Sequence, residues 1–364
     1  MNILILNWRD PKNPKSGGAE VVTMDHAKAW VKKGYTVTWF TSKFKNAKVV
    51  EKIDGINIVR GGNFITVYLL APIFYIFSGN KFDIVVDEIH GLPFFTPLYV
   101  RKPKIAFIHE VADEIWDYMF PFPINKLGRM IEPLYFRLYG NVRFWTDANS
   151  TIDELVGKGI SRKNCIAINC PIGNKALVKL PIKEMLPTFI FVSRVVKMKG
   201  IEEVIRAFFY ILRDIKDARL WIVGDGDLKY VEELKETMRS FSIAPKVNFF
   251  GRVSEEKKLE LMRKAHILLH ASVKEGWGLV IIEAASQATP SVVYNVSGLR
   301  DSVKNGKTGI ILKENTSKEL AKQAVGLIKN KKQYTTYQKN ALIWAKSLTW
   351  KDATEKSLKL IDSL

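Results

Sequence analysis

Short apolar runs rich in β-branched and aromatic residues alternate with longer amphipathic stretches along this chain, and the alternation occurs twice. Parallel strands need helical crossovers, so this pattern confines the chain to layered α/β domains. The first series predicts strands near Asn2–Asn7, Thr36–Thr41, Ile56–Arg60, Asp83–Asp87, Ile105–Ile108, Arg143–Thr146 and Ile166–Asn169. The second predicts them near Phe189–Ser193, Arg219–Val223, Val247–Phe250, Ile267–His270, Ser291–Tyr294 and Gly309–Leu312. At 364 residues the chain exceeds the size at which one hydrophobic core stops growing, which fits two domains. The proline-rich stretch from Pro171 to Pro187 has no clear period and suits a linker. The expected division is residues 1–172, a linker at 173–187, residues 188–346, and a terminal helix at 347–364. Apolar residues from Trp350 to Leu364 recur three and four apart, and this helix is expected to pack back on the first domain. Two doubly wound sheets facing a central cleft are the predicted architecture, with ligands at the carboxyl ends of the strands.

Charge and hydropathy narrow the functional classes. The formal net charge is +19, but Lys and Arg exceed Asp and Glu by 8 in residues 1–180 and by 11 in 181–364. A spread excess with no basic tail is a bias towards anionic ligands and surfaces, and no nucleic-acid partner is expected. Cys165 and Cys170 have the spacing of neither a redox pair nor a zinc site and read as core thiols. The opening MNILILN reads as a buried strand instead of a signal peptide, which points to the cytoplasm. Phe64–Phe77, the most apolar run, contains Pro72 and falls short of the ~20 residues that cross a bilayer. A packed helix is expected there.

Several segments carry chemistry. In EGWGLVIIE, Glu275–Glu283, Gly276 and Gly278 leave a side-chain-free loop before a helix, and a helix start with free N–H groups favours an anion. Glu275 and Glu283 flank it, although a solvated pair of carboxylates fits this segment alone equally well. Arg194 and Lys199, in SRVVKMKG, put two cations at a strand's carboxyl end, where a diphosphate would neutralise both. In SGGAE, Gly17 and Gly18 open a helix after the first strand and permit a close backbone approach to an anion. The dinucleotide fingerprint GxGxxG is absent there, which weakens a dehydrogenase reading. Asp225-Gly226-Asp227 matches the DxD string of metal-dependent transferases, but its place at a glycine turn after a strand argues against a metal site.

Together these segments resemble family 4 of the glycosyltransferases, retaining enzymes of the GT-B fold with two Rossmann-like domains. The matching pieces span nearly the whole chain: SGGAE, IHE at Ile108–Glu110, ANS at Ala148–Ser150, SRVVKMKG, VGDGD at Val223–Asp227, FFGRVS at Phe249–Ser254, EGWGLVIIE, and GLRDSVKNGKTGIIL at Gly298–Leu312. The resemblance implies that Arg194 and Lys199 bind the donor diphosphate, with Gly17 and Gly18 and the backbone of Gly276, Trp277, Gly278 and Leu279 around its oxygens. It assigns Glu283 to the ribose hydroxyls, Glu275 to the donor sugar, Arg252 to the base pocket, and His109 to a place beside the anomeric carbon. His109, Glu275, Arg194 and Lys199 are then the catalytic set. Without the family, His109 would read as a satisfied histidine in a turn at the core's edge.

The implied reaction moves a hexosyl unit from a UDP- or GDP-sugar to a hydroxyl of a glycan or lipid-linked acceptor, with no cofactor and no metal. In Pro121–Trp145, aromatic and aliphatic residues alternate with Lys126, Arg129, Arg137 and Arg143, as in a helix resting on an anionic membrane. A core-packed helix with a basic outer face is the other reading. A sugar-nucleotide epimerase of similar fold, or a basic nucleic-acid or membrane-binding protein, remain as alternative functions.

Overall fold

The computed structural model describes residues 1–173 and 176–364. Asn174 and Lys175, within the expected linker, lie outside the described residues. The chain divides into two compact units, one of Met1–Cys170 with Trp350–Leu364 and one of Pro171–Thr349.

The first unit holds strands β1 (Asn2–Leu6), β2 (Thr36–Thr41), β3 (Val50–Ile53), β4 (Ile56–Arg60), β5 (Ile84–Ile89), β6 (Lys104–Ile108), β7 (Arg143–Thr146) and β8 (Cys165–Ala167). They form one sheet in the order β3-β4-β2-β1-β5-β6-β7-β8, parallel except for β3 against β4. Ile3 to Leu6 are fully buried on both faces, which is why the strand reads as an unbroken apolar run. The antiparallel edge strand β3, VEKI, has no fully buried residue. Its charges guard a sheet edge and give it no hydrophobic signature, so it escapes a reading by periodicity.

Helix Trp350–Asp362 completes this unit. Ser357 Oγ accepts from Trp30 Nε1 at 3.1 Å and lies 2.9 Å from His26 Nδ1, while the His26 ring meets Trp145 and Trp350 edge-on. Ser357 gives its own proton to the Thr354 carbonyl, so His26 Nδ1 is the donor in that contact. Burial pushes the His26 pKa down to about 3 against the opposing charge of Asp147. The unfolded chain therefore binds a proton below about pH 6.5 that the folded chain refuses until near its own lowered pKa, and stability falls as pH falls through that window. Between pH 7 and 5 this group alone is expected to remove about 2 kcal/mol, a loss that His26→Gln should abolish in denaturant titrations at the two pH values.

The second unit holds β9 (Thr188–Val192), β10 (Arg219–Val223), β11 (Val247–Gly251), β12 (Ile267–His270), β13 (Ser291–Val293) and β14 (Gly309–Ile311). All are parallel in the order β11-β10-β9-β12-β13-β14. Helix Ile201–Asp214 covers this sheet with Ile201, Val204, Ile205, Phe208 and Ile211, the spacing of one helical face. The order is that of a doubly wound sheet, and β4-β2-β1-β5-β6-β7 repeats it in the first unit. Each sheet therefore has a point where the chain reverses its winding direction, between β1 and β5 and between β9 and β12.

The apolar run ending at Phe77 forms a packed helix, Val67–Phe77, which buries Val67 and Ala71 and sets Leu70 and Phe74 against the core, while Leu69, Ile73, Ile76 and Phe77 are exposed. Apolar residues surround this helix, so composition could not show which face the sheet would cover. Among the described residues no helix is long and apolar enough to cross a membrane.

Candidate active site

In the second unit the residues that follow β9 and β12 meet at the reversal point. Lys199 Nζ donates to Glu275 Oε1 at 2.6 Å, and His270 Nε2 donates to the same oxygen at 3.0 Å. Burial alone would raise the Glu275 pKa, but the Lys199 ammonium and then the His270 hydrogen bond outweigh it and hold the carboxyl well below its usual range. Glu275 is thus a fixed carboxylate, partly accessible, at a strand's carboxyl end. Gly200 lets the lysine loop come this close: its φ is +70°, and a Cβ there would lie 1.9 Å from the Ala271 carbonyl oxygen.

Gly276, Trp277 and Gly278 are buried and lead into helix Leu279–Ser286. Gly278, the N-cap at φ +77°, offers no side chain to the first turn, and a Cβ there would crowd Leu299 at 2.9 Å. The N-cap Gly278 supplies no side-chain cap to the helix start, beside the Lys199–Glu275 pair. One turn further on, Glu283 accepts from Lys258 Nζ at 2.9 Å, and burial raises its pKa while Lys258 pulls it down. Arg194 and Arg252 are exposed, just beyond β9 and β11.

The structure therefore joins Lys199 to Glu275 and leaves Arg194 free of any ion pair among the described residues. A cation pair awaiting an anion was expected at Arg194 and Lys199; Glu275 already answers one of the two charges. The DxD string has a structural use, since Asp227 caps helix Leu228–Ser240 by accepting from Lys229 N at 3.0 Å and Tyr230 N at 3.2 Å. His270 and Lys258 escaped the sequence reading. His270 closes a predicted strand at a carboxyl end, which is the signal that could have found it.

In the first unit His109 follows β6 and is 9% exposed. Its Nδ1 lies 2.5 Å from Asp147 Oδ2 and its Nε2 3.2 Å from Glu88 Oε1. Burial lowers its pKa, but the Asp147 carboxylate and then Glu88 more than reverse this and push it up to about 10. Glu88 is held down at about 2, burial being overcome by its hydrogen bonds from His109 and His90. The imidazole is a charged donor fixed between two carboxylates, a histidine satisfied at both ring nitrogens at the core's edge. Gly17, the N-cap of helix Gly18–Lys32, gives its N–H to Glu20 Oε2 at 2.6 Å, and Glu20 is itself paired with Arg9 at 2.9 Å. Glu20, Glu88, His90 and Asp147 were not singled out in sequence. The string DEIH at the end of β5 was the available signal.

Residues 174–344 match the family model of the group 1 glycosyl transferases. An uncharacterized glycosyltransferase of Haemophilus influenzae is 25% identical over 88% of this chain and 89% of its own length. The alpha-monoglucosyldiacylglycerol synthase of Acholeplasma laidlawii is 30% identical over 50% of this chain and 46% of its own. This chain spans half or less of the length of several curated relatives it matches. Among solved structures, Anabaena HepE in complex with UDP-glucose shares the fold at a TM-score of 0.76 with 18% identity, over the whole of both chains. The fold is GT-B, and residues 174–344 resemble the group 1 glycosyl transferases.

Proposed function

We propose that the chain is a retaining glycosyltransferase of family 4 that transfers a hexosyl unit from a UDP- or GDP-sugar to a hydroxyl of a glycan or lipid-linked acceptor. The observation that carries this reading is the Lys199–Glu275–His270 cluster beside a helix start whose N-cap Gly278 has no side chain, at the reversal point of a doubly wound sheet. Such a site suits a diphosphate followed by a sugar. Phosphate oxygens take the backbone donors and the cations Lys199 and Arg194, and the ionised Glu275 accepts from sugar hydroxyls. Glu283 is the acceptor for the ribose, Arg252 belongs to the base pocket, and His109 donates to the transferred sugar. Gly17 and Gly18 stand at the donor oxygens. The binding of UDP-glucose by a protein of the same fold supports a nucleotide-sugar donor.

The chemistry we propose is electrostatic. Negative charge grows on the departing nucleotide diphosphate, and Lys199, Arg194 and the helix start meet it without a metal or cofactor. The acceptor hydroxyl attacks from the face the leaving group vacates. Thermal-shift measurements against UDP-, GDP- and ADP-sugars test the donor: one donor at 100 times its Kd should stabilise the protein by about 2.7 kcal/mol. No shift with any of them would overturn the reading.

We further propose a cytoplasmic enzyme that touches an anionic membrane. Helix Ile124–Leu138 is anchored by buried Tyr135 and Phe136, while Leu127, Met130 and Leu134 are at least half exposed beside Phe122 at 79%. The helix packs on the core through the Tyr135 and Phe136 rings and carries apolar residues among the basic ones on its outer face. Asp117 engages Lys126 and Arg129, so the apolar ridge carries more of the contact than charge does. The lipid product named for the Acholeplasma relative is consistent with such an acceptor side. Flotation with anionic vesicles should carry the protein to the lipid fraction, and retention in the aqueous fraction would exclude the contact.

A further inference from the structure

The ends of β5 and β6 hold a set of groups that the proposed transfer does not use in full. Glu88 Oε1 lies 3.0 Å from His90 Nε2 and 3.2 Å from His109 Nε2, and the three ligand atoms are all within 4.8 Å of one another. Glu88 is fully buried, and its Oε2 has no hydrogen-bond partner among the described residues. Glu20 Oε1, equally buried, stands 3.5 Å from His90 Nε2 and 2.9 Å from Arg9 Nη2. Behind His109, Asp147 engages the other ring nitrogen.

We infer that Glu88, His90 and His109 form a binding site for a zinc-type divalent transition metal ion. Two imidazole nitrogens and one carboxylate oxygen are a donor set such ions take, and tetrahedral zinc with bonds of about 2.0–2.1 Å spaces its ligand atoms about 3.3 Å apart. The observed 3.0 and 3.2 Å separations already approach that spacing. Charge agrees with geometry. A metal on Nε2 displaces the proton of His109, after which Glu20, Glu88 and Asp147 face the guanidinium of Arg9 and a divalent ion balances the remainder. Asp147 then plays the outer-shell part of a carboxylate that orients a ligating histidine. A metal on His90 Nε2 leaves the ring proton on Nδ1, so the 3.4 Å contact from Arg9 Nη2 is given up. Arg9 keeps its ion pair with Glu20 and its bond to the Lys15 carbonyl. Because His109 Nε2 becomes a ligand, an occupied site removes the donor assigned to the sugar, and the ion acts as an inhibitor.

Untagged, chelator-washed full chain is titrated with zinc chloride by calorimetry and with cobalt chloride by visible absorption. One equivalent of each is expected to bind, with the strong absorption of tetrahedral cobalt. Asp147→Asn should weaken binding about 10–100-fold, the usual effect of losing an outer-shell carboxylate. His90→Ala, at a partly exposed position, should lose stoichiometric binding while its circular dichroism stays unchanged. His266→Ala, in the other unit, should bind as the parent does. Absence of binding at millimolar metal, or undiminished affinity in His90→Ala, would overturn the inference. Neither result bears on donor binding, which the sugar-nucleotide thermal shift reads separately.

Discussion

Lys199→Ala is expected to lower turnover of the preferred sugar nucleotide by about 10²–10³-fold, the effect of removing one preorganised group that meets transition-state charge. Two losses add in this variant. The departing diphosphate loses its ammonium partner, and Glu275 is left with His270 alone as its donor. Because Lys199 is the larger of the influences that keep Glu275 ionised, the variant should also carry a Glu275 carboxyl with a higher pKa than the parent. Steady-state rates across pH would show both effects. The parent rate with Glu275 held ionised at every working pH is the reference, and activity of the variant should fall further as pH decreases. An alanine variant that folds and keeps the parent rate would remove Lys199 from the chemistry, whatever donor is bound.

Asp10→Ala is expected to destabilise the first unit by about 3 kcal/mol, the low end for breaking a buried ion pair, because Arg60 keeps Glu51 as a partner. Arg60 and Asp10 are fully buried and joined by two bonds, Nε to Oδ2 at 2.7 Å and Nη2 to Oδ1 at 3.0 Å. The pair staples the loop after β1 to the end of β4. That loop carries Arg9 on one side of Asp10 and leads to Gly17 on the other, so its loss should loosen the Glu20 and His90 contacts as well. Denaturant unfolding followed by intrinsic tryptophan fluorescence measures the effect. Glu51 also meets Arg60, at 3.1 Å, but from a more exposed side chain, so Glu51→Ala should cost far less.

These expectations rest unevenly on sequence. The strands lie where the alternation of apolar runs puts them, to within two residues at each end, because a doubly covered parallel strand must be apolar on both faces. β3 shows the converse, an edge strand whose polar residues carry no period. The glycines of EGWGLVIIE announced a helix start without side chains, and that is what Gly276 and Gly278 build. Nothing in the sequence announced that Lys199 would meet Glu275, 76 positions away, or that His270 would share the same oxygen. Strand order brings them together, and strand order is a property of the folded sheet. The ridge on Ile124–Leu138 was legible as amphipathic, yet its burial was not: only packing decided that Tyr135 and Phe136 face inward and Leu127 and Met130 outward.

His109 shows the same limit from the other side. Its place at a strand's carboxyl end could be read from IHE, and a resemblance could give it a role. Its charge could not, because that depends on Asp147 and Glu88, which come from different strands and press on opposite nitrogens of one ring. Periodicity and composition by themselves determined two parallel α/β sheets and the loops that end their strands, since hydrophobic pattern and chain length suffice for that. Which loop residues meet, which carboxylates stay ionised and where a cation can sit were decided by tertiary structure, because electrostatic interactions depend on distances of a few ångströms between residues remote in the chain.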